Sequence, residues 1–285
     1  MEFLNDILEY GFLQRALFIS VVVGIICGTI GCFIILRGLS LMGDAISHAV
    51  LPGIAISFML EINFFYGAVI AGVLTTVGIG FVTQNSRIKS DTSIGIVFAA
   101  AFALGIILIT EAQTAIDLTQ ILFGNVLSVS AANMWMTIIV GAIIMVTVFL
   151  FYKQLLITSF DATMAAAYGL PIRAIHYLIM VLLTLATVAS LQTVGVVLVI
   201  AMLITPAATA YLLTDRLSTM IFLAMGFGAI SSIIGLYFSF EYNLASGPVI
   251  VLVTTAFFIL AFVFSPKYGM LWRAIRTKRS KTTYD

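Results

Sequence analysis

The chain has 285 residues, of which 62% are hydrophobic and 9% are charged, and its formal net charge is +1. A water-soluble domain carries about 25% charged residues, so this composition excludes an ordinary soluble fold. The near-zero net charge gives no indication of nucleic-acid binding. We therefore expect an all-α protein within a lipid bilayer, where a helix of roughly 20 apolar residues crosses the hydrocarbon core.

Apolar runs between charged and turn-forming residues predict one polytopic domain over residues 1–285 with about nine transmembrane helices. The weakest boundary is the one between the sixth and seventh spans, at Ser190 to Thr193, because it holds no charge. The stretch 117–131 is too short to cross and predicts a re-entrant or external helix around Gly124-Asn125. The predicted spans in chain order are 15–36, 39–60, 64–84, 93–110, 133–152, 174–191, 193–213, 217–239 and 246–264.

Basic residues predict the orientation, because cytoplasmic loops are enriched in lysine and arginine. With nine spans, all lysines and arginines except Arg15 fall on one side of the membrane, which is therefore the cytoplasmic side. The N-terminus is then expected outside and the C-terminus in the cytoplasm. Residues 1–14 predict an amphipathic segment on the outer surface. Residues 267–285 form a basic tail that is expected to lie beside anionic lipid headgroups. The cations on the cytoplasmic side are Arg37, Arg87, Lys89, Lys153, Arg173, Arg216 and those of the tail.

Asp44 and His48 are the ionisable pair that the second span places inside the membrane, where burial is costly. Four residues apart on a helix, they project from one face. A carboxylate and an imidazole without a sulfur ligand suit a divalent cation and argue against copper(I). The spacing alone leaves open that the two side chains only hydrogen-bond each other and neighbouring helices. The surrounding residues are small and leave room for close helix approach or for a water-filled path: Gly43, Ala45, Ser47 and Ala49.

Two prolines lie within predicted spans. Pro52 follows His48 by four residues and removes a helical hydrogen bond, so we expect a kink beside the pair. Pro206 lies among small residues of the seventh span and predicts a second kink, which serves either gating or packing. His176 lies near the cytoplasmic end of the sixth span, and we interpret it as an interfacial or packing residue.

Residues 159–171 connect the fifth and sixth spans and are too short to cross the membrane. Ser159 or Asp161 is a helix start signal, Gly169 is a stop signal, and Pro171 lies just beyond. The pattern predicts a short cytoplasmic helix of small residues. Such a helix serves either as a docking surface for a partner or as a plain connector.

The run 37–53, RGLSLMGDAISHAVLPG, closely resembles the hallmark of bacterial ABC permeases for manganese, zinc and iron. Three further stretches are similar to the same family: ILFGN at 121–125, FDATMAAAYGLP at 160–171 and LITPAATA at 203–210. They occur in the family's order and cover nearly the whole chain. Within the family, the chain looks most like the manganese permeases of Gram-positive bacteria.

The resemblance implies a fold similar to the permeases of cobalamin and siderophore importers, which have ten spans, so that nine here would mean that the first is absent. It also implies a bacterial plasma membrane, a homodimer, two cytoplasmic ATPase subunits and an external metal-binding lipoprotein. Asp44 and His48 match the family's proposed metal-coordinating pair. The residues that match its ATPase-docking helix are Phe160, Asp161, Ala165, Gly169 and Pro171. The gating candidates are Pro52, Gly124, Asn125 and Pro206.

The expected function is transport of Mn²⁺, or of Zn²⁺ or Fe²⁺ by the same architecture, with no permanently bound cofactor. The chain has no Gly-rich lysine motif for phosphate binding, so ATP hydrolysis is assigned to a separate subunit and the chain itself is not expected to be an enzyme. A proton-coupled secondary transporter is the alternative, and it would need neither an ATPase nor a coupling helix. An intramembrane metalloprotease is disfavoured because the chain has no His-Glu-x-x-His motif.

Overall fold

The computed structural model describes residues 9–111 and 126–265. The candidates Gly124 and Asn125, the basic tail and most of the predicted outer segment therefore lie outside the described residues. The described residues form twelve α-helices and one 3-10 turn at Val126–Ser128. The helices are α1 Gly11–Leu36, α2 Leu41–Ala49, α3 Leu51–Met59, α4 Phe64–Asn85, α5 Ser90–Glu111, α6 Ala131–Leu150, α7 Tyr152–Phe160, α8 Ala162–Ala167, α9 Ile172–Val194, α10 Val196–Leu213, α11 Leu217–Glu241 and α12 Ser246–Phe264.

Nine helical stretches of the described residues are long and apolar enough to cross a membrane, and α2 and α3 together form the second. Each overlaps one predicted span, with ends that differ by a few residues. Their most apolar windows have mean hydropathies between 1.4 and 2.7. The expected all-α fold with about nine spans is confirmed.

The core is built around α1, which contacts α6, α9, α10 and α11. Its most apolar window is 72% buried, against 17% for α5. Two glycines of α1 meet α11 backbone to backbone: a Cβ added to Gly24 would lie 2.7 Å from the carbonyl carbon of Gly228, and one added to Gly28 would lie 2.8 Å from the carbonyl oxygen of Ala224. Small residues at this spacing allow two helices to pack closely. In lipid this van der Waals contact holds helices together, because the hydrophobic effect does not drive apolar helices out of an apolar solvent.

The second span is interrupted at Val50, two residues after His48. Pro52 lies in the first turn of α3. Because proline has no backbone N–H, it cannot donate a hydrogen bond to a carbonyl of the preceding turn. The amide of Ile54 donates to the carbonyl of Val50 at 3.1 Å, so helical bonding resumes directly after the break. The helix is therefore interrupted beside the pair, at the place where the sequence predicts a kink.

The boundary between the sixth and seventh spans lies at Gly195 and not at Ser190 to Thr193, which belong to α9. Gly195 has φ +83°, a conformation that side chains disfavour, so it ends α9 and begins α10 without an intervening loop. The expected boundary lies too early in the chain, because no charge marks an end here and Ser190 and Thr193 are polar residues that a helix can hold. Their hydroxyls are instead accommodated within the helix, as Thr193 donates to the carbonyl of Ser190 at 2.9 Å.

Candidate metal site and coupling segment

Asp44 and His48 lie one turn apart on α2, and Nε2 of His48 is 3.5 Å from Oδ1 of Asp44. That distance is too long for a strong hydrogen bond. Donor–metal bonds of about 2.1 Å would let one ion bridge the two atoms at a donor–metal–donor angle of about 110°. The two atoms are thus close enough for one ion to contact both.

The polar face of α2 is open, and its other face is packed. The side chain of Asp44 is 50% exposed and that of His48 is 24% exposed. The small residues Gly43, Ala45, Ser47 and Ala49 are all buried. A Cβ added to Gly43 would lie 3.1 Å from Cδ1 of Leu203 in α10. Gly43 therefore serves close helix approach, which is one of the two uses expected for these small residues.

Two phenylalanines of α5 hold the imidazole of His48. Its ring centroid lies 5.9 Å from that of Phe98 and 5.6 Å from that of Phe102, and the second contact is edge-on at 81°. The two phenylalanines are also stacked on each other at 5.9 Å. This packing restricts the orientation of the ring that would offer Nε2 to an ion.

No third His, Cys, Asp or Glu completes a metal-binding cluster within the described ranges 9–111 and 126–265. A hard divalent ion such as Mn²⁺ favours six ligands that are mostly oxygen. An ion at Asp44 and His48 would therefore take its other ligands from water, from backbone oxygens or from another chain. His176 belongs to a different place, a cavity whose lining includes neither residue of the pair.

The candidate coupling segment, residues 159–171, contains the short helix α8 and its two ends. Asp161 caps α8, because its Oδ1 accepts from the hydroxyl of Thr163 at 2.6 Å and from the backbone N–H of Met164 at 2.9 Å. These two bonds lower the pKa of Asp161, so the capping carboxylate is ionised at neutral pH. At the other end, Gly169 has φ +73°, and the amide of Leu170 donates back to Ala165 at 3.1 Å. Of the two predicted starts, Asp161 is confirmed and Ser159 is wrong, because Ser159 lies within α7; the predicted stop at Gly169 is confirmed.

The segment exposes three large apolar or aromatic side chains. Phe160, Met164 and Tyr168 are 58%, 49% and 67% exposed, whereas Ala165 is fully buried. Ala165, expected among the docking residues, therefore holds α8 against the protein. Met164 and Tyr168 were not predicted from the sequence. Their signal is a spacing of four residues, which places two large side chains on the same side of a helical turn.

Arg37 connects the two candidate regions. Its Nη2 donates to Oγ1 of Thr158 at 2.6 Å and its Nε to Oγ of Ser159 at 3.1 Å. Arg37 begins the loop that leads into α2, and Ser159 lies two residues before the cap of α8. The sequence indicated only that Arg37 marks the cytoplasmic side, because a partner 121 residues away leaves no local pattern.

The described gating candidates are both packed residues. Pro52 is buried, and a Cβ added to Gly105 of α5 would lie 3.0 Å from its Cδ. Pro206 is buried inside α10, which continues through it to Leu213. Their role in gating stays a prediction.

Comparison with protein families gives a match over residues 9–265 to the ABC 3 transport family. The chain belongs to this family. The match spans every described helix and both candidate regions, and it confirms the resemblance that the run 37–53 indicated.

Relatives in the ABC 3 transport family align over nearly their full length. The manganese transport system membrane protein MntC of Listeria innocua is 62% identical over 95% of this chain and 97% of its own. The manganese import system permease protein ScaB of Streptococcus gordonii is 50% identical over 96% of this chain and 99% of its own. A probable iron transport system membrane protein of Haemophilus influenzae is 41% identical over 93% and 97%, respectively.

Two solved structures share the fold. PsaBC from Streptococcus pneumoniae, in complex with Fab, superposes with a TM-score of 0.86 at 51% identity and covers 97% of this chain and 99% of that chain. A putative metal-chelate type ABC transporter in an inward-facing conformation gives a TM-score of 0.70 at 15% identity over 92% and 88%. The second likeness shows the fold alone, and it agrees with the expected similarity to chelate importers. The chain is a multi-pass membrane protein of this fold.

Proposed function

We propose that this chain is the membrane-spanning permease subunit of an ABC importer that moves a divalent metal ion, Mn²⁺ by preference, into the cytoplasm. The observation that carries the proposal is the separation of 3.5 Å between a carboxylate oxygen of Asp44 and an imidazole nitrogen of His48. The manganese transport system protein of Listeria innocua, at 62% identity, favours Mn²⁺ over Zn²⁺ or Fe²⁺. Membership of an ABC family favours an ATP-driven importer over a proton-coupled carrier.

The pathway is formed between two copies of the chain. Asp44 is half-exposed on a membrane-crossing span, and a carboxylate that faced hydrocarbon there would be costly. A second copy placed over this face would remove the cost and enclose a hydrated path. It would also bring a second carboxylate and a second imidazole, which moves the donor count towards the six that Mn²⁺ favours.

ATP hydrolysis takes place in separate cytoplasmic subunits that dock on residues 159–171. Support comes from the exposed apolar side chains of Phe160, Met164 and Tyr168, which lie in and around α8, the helix whose two ends are fixed by Asp161 and Gly169. An external metal-binding lipoprotein delivers the ion to the opposite mouth. The N-terminus then lies outside, because α1 runs from that mouth to the end that carries Arg37.

The ion is bound and released through partial exchange of its water shell. On entry, the carboxylate of Asp44 and Nε2 of His48 from each copy replace water ligands. Since the described residues of one chain offer no third ligand of this kind, the ion keeps part of its hydration and can leave again. Movement of the docked ATPase subunits then alternates the access of the pair between the two sides of the membrane.

The test is metal accumulation in cells that lack this gene, complemented with the wild type, Asp44→Asn or His48→Ala and measured by elemental analysis for manganese, zinc and iron. We expect the wild type to restore manganese and each variant to reduce accumulation at least about tenfold, as loss of metal-site groups commonly does. Ser47→Ala is the matched control, because its buried hydroxyl donates only to the carbonyl of Gly43 on the same helix. Restoration of manganese by both pair variants would contradict the site, and restoration of zinc alone would contradict the preference for manganese.

A further inference from the structure

A cavity of about 640 Å³ lies beside the coupling segment. Its wall is built from the loop after α1 and the ends of α4 and α7, together with the starts of α8 and α9. Phe160 and Ala162 of the coupling segment belong to this wall. A protein that docks on the segment therefore comes to lie against the cavity.

The lining of the cavity is cationic. Arg37 and Arg173 both line it, together with His176, and the rest of the lining consists of hydroxyl, amide and apolar side chains with no carboxylate among them. The described part of the chain contains no ion pair for either arginine. The cavity thus concentrates positive charge without a counter-charge from the permease itself.

Arg37 shows the imbalance most clearly. It is half-buried, and its guanidinium donates to two neutral hydroxyls, those of Thr158 and Ser159. Burial lowers the pKa of Arg37 to about 10, so the group remains a cation at neutral pH. A partly desolvated cation with neutral partners is stabilised strongly by an anion that completes its hydrogen bonds.

The cytoplasmic bias of arginine accounts for the side of the membrane on which these residues lie. It does not account for a guanidinium that turns inwards to line a cavity, because a charge that serves topology alone gains by staying in water.

We propose that this cavity receives an acidic side chain of the ATPase subunit, whose carboxylate pairs with Arg37 and Arg173 when that subunit docks on residues 159–171. This inference rests on the proposed function of the segment and adds the chemistry of its partner. A carboxylate suits the site because the planar guanidinium fork donates two parallel bonds to it. A protein occupant is favoured over a small anion because the docking segment itself supplies part of the wall.

The experiment measures the affinity of the purified ATPase subunit for the full-length permease in detergent, at low and high salt. Arg173→Gln is the first variant because Arg173 is exposed, and its loss leaves the packing intact. Arg37→Gln is the second. Arg216→Gln is the matched control, since Arg216 is an exposed cation on the same predicted side and does not line the cavity.

We expect Arg173→Gln to weaken binding about tenfold and to reduce its salt dependence, while the control changes neither. Arg173→Glu should weaken binding further, and one Asp→Arg or Glu→Arg substitution in a scan of the ATPase should restore it. Equal effects of Arg173→Gln and Arg216→Gln would overturn the proposal, because general surface charge would then explain both. Unchanged affinity in Arg173→Gln would overturn the proposal too. In that case native mass spectrometry of the permease is the next measurement: if Arg173→Gln loses a bound anionic phospholipid, the occupant of the cavity is a lipid headgroup.

Tyr168→Glu separates this inference from the proposed function beneath it. If Tyr168→Glu abolishes ATPase binding and Arg173→Gln has no effect, residues 159–171 dock the ATPase and only the acidic occupant of the cavity is wrong. If neither substitution weakens binding, the docking role of the segment fails as well.

Discussion

Arg37 donates a hydrogen bond of 2.6 Å to Thr158, and this bond joins the loop before Asp44 and His48 to the helix that leads into α8. Asp44 follows Arg37 by seven residues, and Asp161 follows Thr158 by three. The hydroxyl of Thr158 also donates to the carbonyl of Gln154 at 2.8 Å, which fixes its orientation on α7. A displacement of the coupling segment can therefore reach α2 through a bonded contact as well as through the chain.

Thr158→Val should loosen this junction without changing its shape. The substitution removes the acceptor for Arg37 and keeps the β-branched side chain on α7. We expect the ATP consumed per transported ion to rise at least about twofold, because substitutions along such contacts change coupling by roughly 0.5–2 kcal/mol. Parallel assays of hydrolysis and uptake in proteoliposomes measure the ratio.

Thr147→Val is the control, since the exposed hydroxyl of Thr147 donates only to the carbonyl of Ile143. A proportional loss of both activities would indicate a purely structural role.

Gly169→Ala tests the end of the coupling helix. A Cβ at Gly169 would meet no atom within 4 Å, so the cost arises from φ +73° alone. An L-residue in this conformation costs about 1–2 kcal/mol, and the chain would relieve it by rebuilding the exit from α8. We expect weaker ATPase binding and little change in metal binding.

Gly95→Ala is the counterpart of Gly169→Ala, because a Cβ there also has open space and the backbone has no positive φ. Its ATPase affinity should equal that of the wild type. Equal affinity in Gly169→Ala would show that the geometry of this helix end does not matter for docking.

Gly228→Ala should damage the core of the membrane domain. A Cβ at Gly228 would lie 2.5 Å from the carbonyl oxygen of Gly24, and neither backbone can yield without separating α1 from α11. Overpacking of this kind costs about 1–3 kcal/mol. We expect a lower midpoint of thermal unfolding in detergent and less protein in the membrane. Gly226→Ala, two residues away on α11 with open space around it, should behave as the wild type does; similar losses in both variants would contradict the packing argument.

The spans could be predicted from sequence because hydropathy and charge act locally. Asp44 and His48 could be singled out for the same reason, since two ionisable residues four apart in an apolar run are visible without a fold. The start of α8 at Asp161 and its end at Gly169 were likewise written in local capping signals.

The missed features all depend on contacts between distant segments. Phe98 and Phe102 pack against His48 only because α5 lies beside α2, and Arg37 meets Thr158 only because α1 and α7 end together. The boundary at Gly195 was misplaced for a different reason: helices in lipid satisfy serine and threonine hydroxyls on their own backbone, so these residues do not mark an end there.

Phe102→Leu tests whether the aromatic contact positions His48. Leucine keeps apolar bulk on α5 but loses the edge-on ring contact at 5.6 Å, which is the closer of the two that hold the imidazole. Aromatic pairs are worth about 0.5–1.5 kcal/mol, so we expect the manganese concentration at half-maximal uptake to rise about 2- to 10-fold. The maximal rate should change less, because Asp44 and the imidazole are both still present. Uptake of radioactive manganese over a range of concentrations measures the two parameters.

Phe222→Leu on α11, where the ring is 73% exposed, is the control. An unchanged half-saturation in Phe102→Leu would show that α2 alone sets the orientation of His48, whereas an equal shift in the control would point to a general effect on the membrane domain.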